Sequence, residues 1–325
     1  MSPTTLLQAA LSKRTESGLL RSLTIAPHNS SDFSSNDYLS LSRSKHLHAK
    51  FLAKLQTSQH LGGGSTGSRL LTGNSNAACQ LETYLAAFHG AETALLFNSG
   101  YDANLGLFET LPHPGSAVLY DELVHASVHD GMRRSRDGVV KLKWRHNSVQ
   151  HLEQLVWEQV TRIESLGLTK ERLPGIFVVV EAIYSMDGDV APLVEICKLA
   201  EKVGARAGGL SLIVDEAHST GVCGLGGRGL VCQLGLQDKV FARLHTFGKG
   251  VGAHGGNKQV SKVCTHLRQK GYDVRPIRSP TVQKGSERLR ICLHVHNTEQ
   301  QIWGLIREVS VASGLVAGLD LGSKL

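Results

Sequence analysis

Two short segments contain side chains that could do covalent chemistry together. Lys249 lies among glycines in TFGKG (246–250), and Asp215 follows an apolar run in VDEAH (214–218). A lysine on such a permissive backbone can form a Schiff base with a carbonyl compound, most readily when its pKa is depressed. A buried carboxylate needs a compensating cation, and the protonated ring nitrogen of pyridoxal 5′-phosphate (PLP) would supply one. The two segments therefore predict a PLP site with Lys249 and Asp215 as catalytic residues.

Each segment alone also has an ordinary interpretation. A glycine-flanked lysine is typical of a solvated loop, and DEAH also occurs in helicases, where the acid holds Mg²⁺. A helicase needs a phosphate-binding GxxxxGK[ST] loop, and the sequence contains none. The helicase interpretation is therefore rejected, whereas the lysine needs further support.

Four further positions fit a PLP site. His218 lies three residues after Asp215 and could hydrogen-bond the ring hydroxyl. His125 follows a predicted strand, and a neutral imidazole could stack on a flat ring, although a histidine that makes only local bonds at a helix start fits equally well. Gly100 and Tyr101 open a predicted helix, whose N–H groups suit a phosphate, but Gly100 could also be a plain turn residue.

These residues need a sheet to bring them together. The runs 175–189 and 210–229 begin as continuous β-branched stretches, and predicted helices over 76–90, 101–111 and 149–167 alternate with strands. Such a pattern is typical of a parallel sheet covered by helices on both faces, with ligands outside the carboxyl ends of the strands. The segment 92–100 is predicted to be a short buried strand. The polar residues that follow strands are Asn98, Ser99, Asp121, His125, Glu181, Ser185, Asp215 and His218.

Composition narrows the function classes. Of the 325 residues, 41% are hydrophobic and 19% charged, and the net charge is +7 without a long basic tract. Nucleic-acid binding is therefore weakly favoured, and an anionic small molecule fits at least as well. The six cysteines form no CxxC pair, which favours free thiols and predicts no metal site. The sequence has no apolar run of about 20 residues, so no membrane span is predicted.

The ends of the sequence also carry predictions. Residues 2–20 are predicted to form an amphipathic helix. Their polar and charged residues do not resemble a secretory signal. Ser323-Lys324-Leu325 matches a peroxisomal address, which predicts binding to the peroxisomal import receptor and a peroxisomal rather than cytoplasmic location.

The motifs resemble those of the α-oxoamine synthases, PLP enzymes of the aspartate aminotransferase fold type. The resemblance covers most of the chain in the family's order. The segments that carry it are FSSNDYLSLS (33–42), GGSTGSRLLTG (63–73), LFNSGYDAN (96–104), VHASVHDG (124–131), EAIYSMDGD (181–189), VDEAHSTGVCGLGGRG (214–229), TFGKGVG (246–252) and PTVQKGSERLRI (280–291). The resemblance implies an α/β PLP-dependent transferase of fold type I, active as a homodimer.

The resemblance also implies a role for each matching residue. Lys249 bonds to the cofactor aldehyde and later removes the substrate α-proton, Asp215 pairs with the ring nitrogen, and His125 stacks on the ring. The implied contacts of the ring hydroxyl are His218 and Ser185, those of the phosphate are Gly100, Tyr101 and Thr246, and those of the substrate are Asn36 and Arg290. The implied reaction joins an amino acid to an acyl-CoA with loss of carbon dioxide. The members that the chain most resembles use L-alanine and pimeloyl-CoA in biotin biosynthesis.

The chain departs from the family pattern after the lysine loop. There the family has further strands and the start of a small lobe, whereas this sequence passes almost directly into residues typical of the later small lobe. We therefore predict a small-lobe helix and linker over 1–35, an incomplete PLP domain over 36–256 and a small-lobe remnant over 257–325. An inactive homologue that acts as a binding partner is the alternative function. The gap also predicts poor PLP binding or marginal folding.

Overall fold

The protein is described by a computed structural model that covers residues 2–17, 20, 29–57, 66–169, 173–253, 267, 269–277 and 288–312. The chain divides into two compact units. One contains residues 39–254, and the other contains residues 1–38 with residues 255–325. The predicted domain limits after residues 35 and 256 stay predictions, and the second falls outside the described residues.

A parallel sheet forms the centre of the larger unit. Its described strands are β2 (Ala117–Asp121), β3 (Val140–Trp144), β4 (Ile176–Glu181), β5 (Leu210–Asp215) and β6 (Ala242–Leu244), in the order β3-β2-β4-β5-β6. All neighbouring pairs are parallel. Every residue of β4 is buried, as its continuous β-branched run predicts.

Helices cover both faces of this sheet. The described helices of the unit are α2 (Lys45–Thr57), α3 (Asn76–His89), α4 (Gly100–Thr110), α5 (Ala126–Arg134), α6 (Val149–Glu164), α7 (Leu193–Val203) and α8 (Leu230–Gln233). Val178 and Val180 of β4 pack with α6 and α7, whereas Phe177 and Val179 pack with α4 and α5. Successive strand residues thus enter opposite cores, which confirms the predicted α/β architecture.

The segment 92–100 is not the buried strand that its apolar run predicts. Leu95 is 68% exposed and Phe97 is 46% exposed. The N–H of Leu96 donates to Glu82 Oε1 (2.8 Å), and Arg69 forms a two-pronged ion pair with the same carboxylate. A side chain of α3 thus provides the hydrogen bond that a neighbouring strand would have provided, so the run forms a loop.

The smaller unit contains its own core. Helix α1 (Pro3–Glu16) buries no residue and ends before the predicted limit at residue 20, and Leu6 is 54% exposed. Strand β1 (Ser31–Asp32) pairs with β7 (Tyr272–Asp273), and β8 (Arg275–Ile277) pairs with β9 (Arg288–Arg290). Phe33, Leu267, Val274 and Leu305 of α9 (Glu299–Ala312) pack together. None of the helices in the described part of the chain is long and apolar enough to cross a membrane.

Candidate active site

The carboxyl ends of β4 and β5 place two acids side by side. Glu181 and Asp215 are partners in the parallel register, and both are the last residues of their strands. Asp215 is 7% exposed. Its Oδ1 accepts from the N–H of Ala217 (2.9 Å), and its Oδ2 accepts from Asn104 Nδ2 (2.9 Å). Both oxygens are therefore fixed in place, as a carboxylate that must meet a cation requires.

Lys249 reaches the same strand ends from the loop after β6. Its Nζ lies 3.0 Å from Nε2 of His218, which is buried. The Lys249 carbonyl accepts from the N–H of Gly252 (2.8 Å), which closes a tight turn at the glycines. The structure thus brings the predicted site residues Lys249 and His218 together, and Lys249 is half-buried rather than a solvated loop lysine.

His125 caps the start of α5. Its Nδ1 lies 2.7 Å from Oγ of Ser127, which in turn accepts from Asn104 Nδ2 (3.0 Å). A continuous chain of hydrogen bonds therefore links His125 to Asp215. The imidazole is exposed and meets the Tyr101 ring edge to face, with 6.1 Å between centroids. An imidazole fixed in this way by its Nδ1 could cover a planar cofactor.

The start of α4 has the shape of a phosphate cradle. Ser99 caps the helix, since its Oγ accepts from the N–H of Asp102 (3.0 Å). Gly100 packs so closely on Thr246 that a β-carbon at position 100 would overlap Thr246 Cγ2. The backbone N–H groups at a helix start can hold an anion, and Thr246, whose hydroxyl donates to the Ala217 carbonyl (3.4 Å), packs against this helix start. The residues present therefore fit PLP.

Replacing Gly100 with alanine should weaken PLP binding roughly fivefold to a hundredfold, because overpacking at this contact costs roughly 1–3 kcal/mol. A spectral titration with PLP would measure the change. Thr246→Ser keeps the hydroxyl and removes the overlapping methyl group, so the double variant should recover most of the affinity. Unchanged binding in the Gly100→Ala protein would contradict the cradle.

Three residues of this site were not predicted as site residues. Asn104 and Ser127 join His125 to Asp215, and Glu181 adjoins Asp215 in the sheet. Asn104 lies one helical turn after Gly100, so this spacing could have predicted that it lies on the same side of α4 as the site. Ser127 carried no signal in the sequence, since a serine at a helix start is common.

A buried cluster holds the loop that follows Asp215. Glu216 is fully buried and accepts hydrogen bonds from the N–H of Val231 (2.9 Å) and the hydroxyl of Ser219 (3.0 Å). His245, beside the cradle residue Thr246, stacks on His89 with 3.6 Å between ring centroids. Burial lowers the pKa of His245 to about 2. Burial also lowers the pKa of His89, so both imidazoles are neutral in the folded protein at neutral pH.

Acid should destabilise this cluster. A histidine whose folded pKa lies below its unfolded pKa stabilises the fold fully above the unfolded value, near pH 6.5, and less as the pH falls. At about pH 5 the lowered pKa of His245 should cost roughly 2 kcal/mol. Melting curves of the wild type and His245→Phe, taken between about pH 7.5 and 5, would test this. The variant, which keeps the stack but cannot protonate, should lose less stability on acidification. Parallel pH profiles would contradict the assignment.

The two predicted substrate residues lie in the smaller unit. Arg290 Nη2 donates to Asn36 Oδ1 over 3.3 Å. Ser185 lies in the turn after β4, where its backbone N–H contributes to lowering the pKa of Glu181. The predicted roles of Asn36, Arg290 and Ser185 stay predictions. Within the described ranges, no group of three or more His, Cys, Asp or Glu side chains could hold a metal ion.

Comparison with known proteins identifies the family of this chain. The family model for class I and II aminotransferases matches residues 29–257. An 8-amino-7-oxononanoate synthase of Emericella nidulans is 36% identical over 393 residues, which cover 94% of each chain. This chain belongs to the class I and II aminotransferase family. Within that family it is an α-oxoamine synthase homologue and a PLP-dependent acyltransferase.

A further relative and a solved structure extend the comparison. The aminoacyl transferase sphA of Byssochlamys spectabilis is 41% identical over 69% of this chain, which spans only 47% of that protein. A solved structure of serine palmitoyltransferase (SPT) with a PLP internal aldimine has a TM-score of 0.75 at 23% identity. The superposition covers 95% of this chain and 97% of that one. This likeness shows the fold, PLP-dependent transferase fold type I.

The Emericella comparison also bears on the predicted internal gap. That alignment runs over 393 positions, whereas this chain has 325 residues. At least 68 aligned positions of the relative therefore have no counterpart here. This chain therefore belongs to the family although it is shorter than this relative.

Proposed function

We propose that this chain condenses L-alanine with pimeloyl-CoA to give 8-amino-7-oxononanoate, with release of carbon dioxide and coenzyme A. The proposal depends on the 3.0 Å contact between Lys249 Nζ and His218 Nε2. His218 lies in the loop that follows the buried Asp215. The name of the Emericella relative supports the choice of substrates. Biotin biosynthesis would use the product.

PLP supplies an electron sink that stabilises negative charge at the substrate α-carbon. Asp215 would hold the proton of the ring nitrogen, and its two donors, Asn104 and Ala217, keep the carboxylate in position. Lys249 would hold the cofactor aldehyde and, once the substrate amine has displaced it, would accept the α-proton at Nζ. His125 would cover the ring. Gly100, Tyr101 and Thr246 would hold the phosphate, whereas His218 and Ser185 would hold the ring hydroxyl.

Asn36 and Arg290 are assigned to the amino acid. A planar guanidinium binds a carboxylate with two hydrogen bonds, and the existing bond to Asn36 orients it. A homodimer and a peroxisomal location stay predictions. The residues Ser323, Lys324 and Leu325, which would bind the import receptor, lie outside the described residues.

The test pairs two amino acids with two thioesters. Purified protein with PLP is incubated with L-alanine or L-serine and with pimeloyl-CoA or palmitoyl-CoA, and mass spectrometry identifies the amino ketone. We expect a product from L-alanine and pimeloyl-CoA that exceeds every other pair. A preference for the long acyl chain would contradict the proposed substrate and would favour a function nearer that of SPT.

The shortened chain supports a second candidate function. The relative's unmatched positions favour an inactive homologue that serves as a binding partner. This candidate predicts PLP binding at Lys249 without formation of any amino ketone. A cooperative melt and full turnover would reject both this candidate and the predicted marginal folding.

A further inference from the structure

Glu181 is a buried acid to which the reaction scheme assigns no part. It ends β4 and is 3% exposed. Its Oε1 has no hydrogen-bond partner among the described residues. A buried ionised carboxylate with an unsatisfied oxygen is costly, so this carboxyl group should favour its neutral form.

The charges around Glu181 act mainly in the same direction. Asp215 is its register partner on β5, and Asp121 at the end of β2 also raises its pKa. Lys249 and the N–H of Ser185 act in the opposite direction. Tyr184, whose own pKa burial raises, is a neutral neighbour. Asp215 has two fixed donors, whereas Glu181 has an unsatisfied oxygen, so the proton belongs on Glu181.

We propose that Glu181 is a positioning residue that stays protonated beside Asp215, so that Asp215 is the anion that faces the cofactor nitrogen. This inference rests on the proposed function, since it assumes PLP at Lys249. It assigns to Glu181 a proton that is held rather than transferred during turnover. Loss of that proton would put a second negative charge next to Asp215 and would change the electrostatics of the bound cofactor.

The pKa of Glu181 agrees with this role. Burial, followed by the charge of Asp215, raises it to about 8. At about pH 7 roughly nine molecules in ten therefore keep the proton. As the pH rises through this value, Glu181 ionises. The absorbance of PLP bound at Lys249 should therefore titrate in two coupled steps, one for Glu181 and one for the imine nitrogen of Lys249.

The experiment compares holoenzyme of the wild type, Glu181→Gln and Glu181→Asp. Glu181→Gln copies the neutral acid, so we expect normal PLP attachment and a single-step spectral titration. Glu181→Asp keeps an ionisable group and should keep two steps. Glu195→Gln, at an exposed position on α7, is the matched control and should titrate like the wild type.

A second measurement does not depend on the variants' activity. Infrared spectra of protein with ¹³C-labelled glutamate should show a protonated carboxyl band at neutral pH that Glu181→Gln lacks. Buried Glu216, whose pKa burial also raises, contributes to the total, so the difference between the two proteins is the decisive quantity. Identical infrared spectra, or a two-step titration in Glu181→Gln, would overturn the inference. Failure of the wild type to attach PLP at Lys249 would instead reject the proposed function.

Discussion

Replacing Lys249 with alanine is expected to lower kcat by at least roughly a thousandfold, because one amine both attaches the cofactor and removes the α-proton. The amine lies 3.0 Å from His218 and cannot be replaced by that imidazole, which forms no stable imine. The visible absorbance band of attached PLP should disappear. Borohydride, which reduces the wild-type imine to a permanent bond, should leave PLP unattached in the variant.

Two controls separate the amine from its charge. Lys249→Arg keeps a cation beside His218 but offers no nucleophilic amine, so it should fail as completely as the alanine variant. Lys202→Ala removes an exposed lysine that pairs with Glu153 and should behave like the wild type. If borohydride still fixed one PLP per chain in Lys249→Ala, another lysine would be the attachment site.

Strands β4 and β5 of the sheet could be predicted because they are largely buried and their sequences are apolar on both faces. Residues 176–181 form a continuous apolar run and residues 210–215 form an apolar run with one serine. Each run ends in an acid, and both form strands with those acids at the carboxyl ends. The run around Leu95 has a similar composition but forms a loop. Its outcome depended on Glu82, which lies 14 positions earlier and binds the N–H of Leu96. Local composition carries no information about such a distant partner.

The site could be predicted in part because its chemistry needs rare residue types in fixed motifs. Lys249 and Asp215 stand out in this way, whereas Asn104 and Ser127 are common residues whose role comes from a contact in three dimensions. The acid Glu181 was visible in the sequence as a strand-end residue. Its charge state depends on burial and on its register with Asp215, which only the folded sheet provides.

Replacing Asp215 with asparagine is expected to lower kcat by roughly 10²–10³, because a carboxylate aimed at a developing charge is worth about as much as one oxyanion-hole donor. The shape of the side chain is kept, and Lys249 is untouched. The variant should therefore still attach PLP under borohydride while losing turnover. This combination distinguishes Asp215, which tunes the cofactor, from Lys249, which holds it.

The matched control for this prediction is Asn104→Ala, which keeps the carboxylate and removes one of its two donors. A hydrogen bond to a charged group is worth about 1.5–3 kcal/mol, so this variant should lose roughly tenfold to a hundredfold in PLP affinity. Its kcat at saturating PLP should stay close to that of the wild type, because the charge beside the ring nitrogen remains. If Asp215→Asn also lost only affinity, the carboxylate would serve merely to position the cofactor, and the ring nitrogen would not need its negative charge.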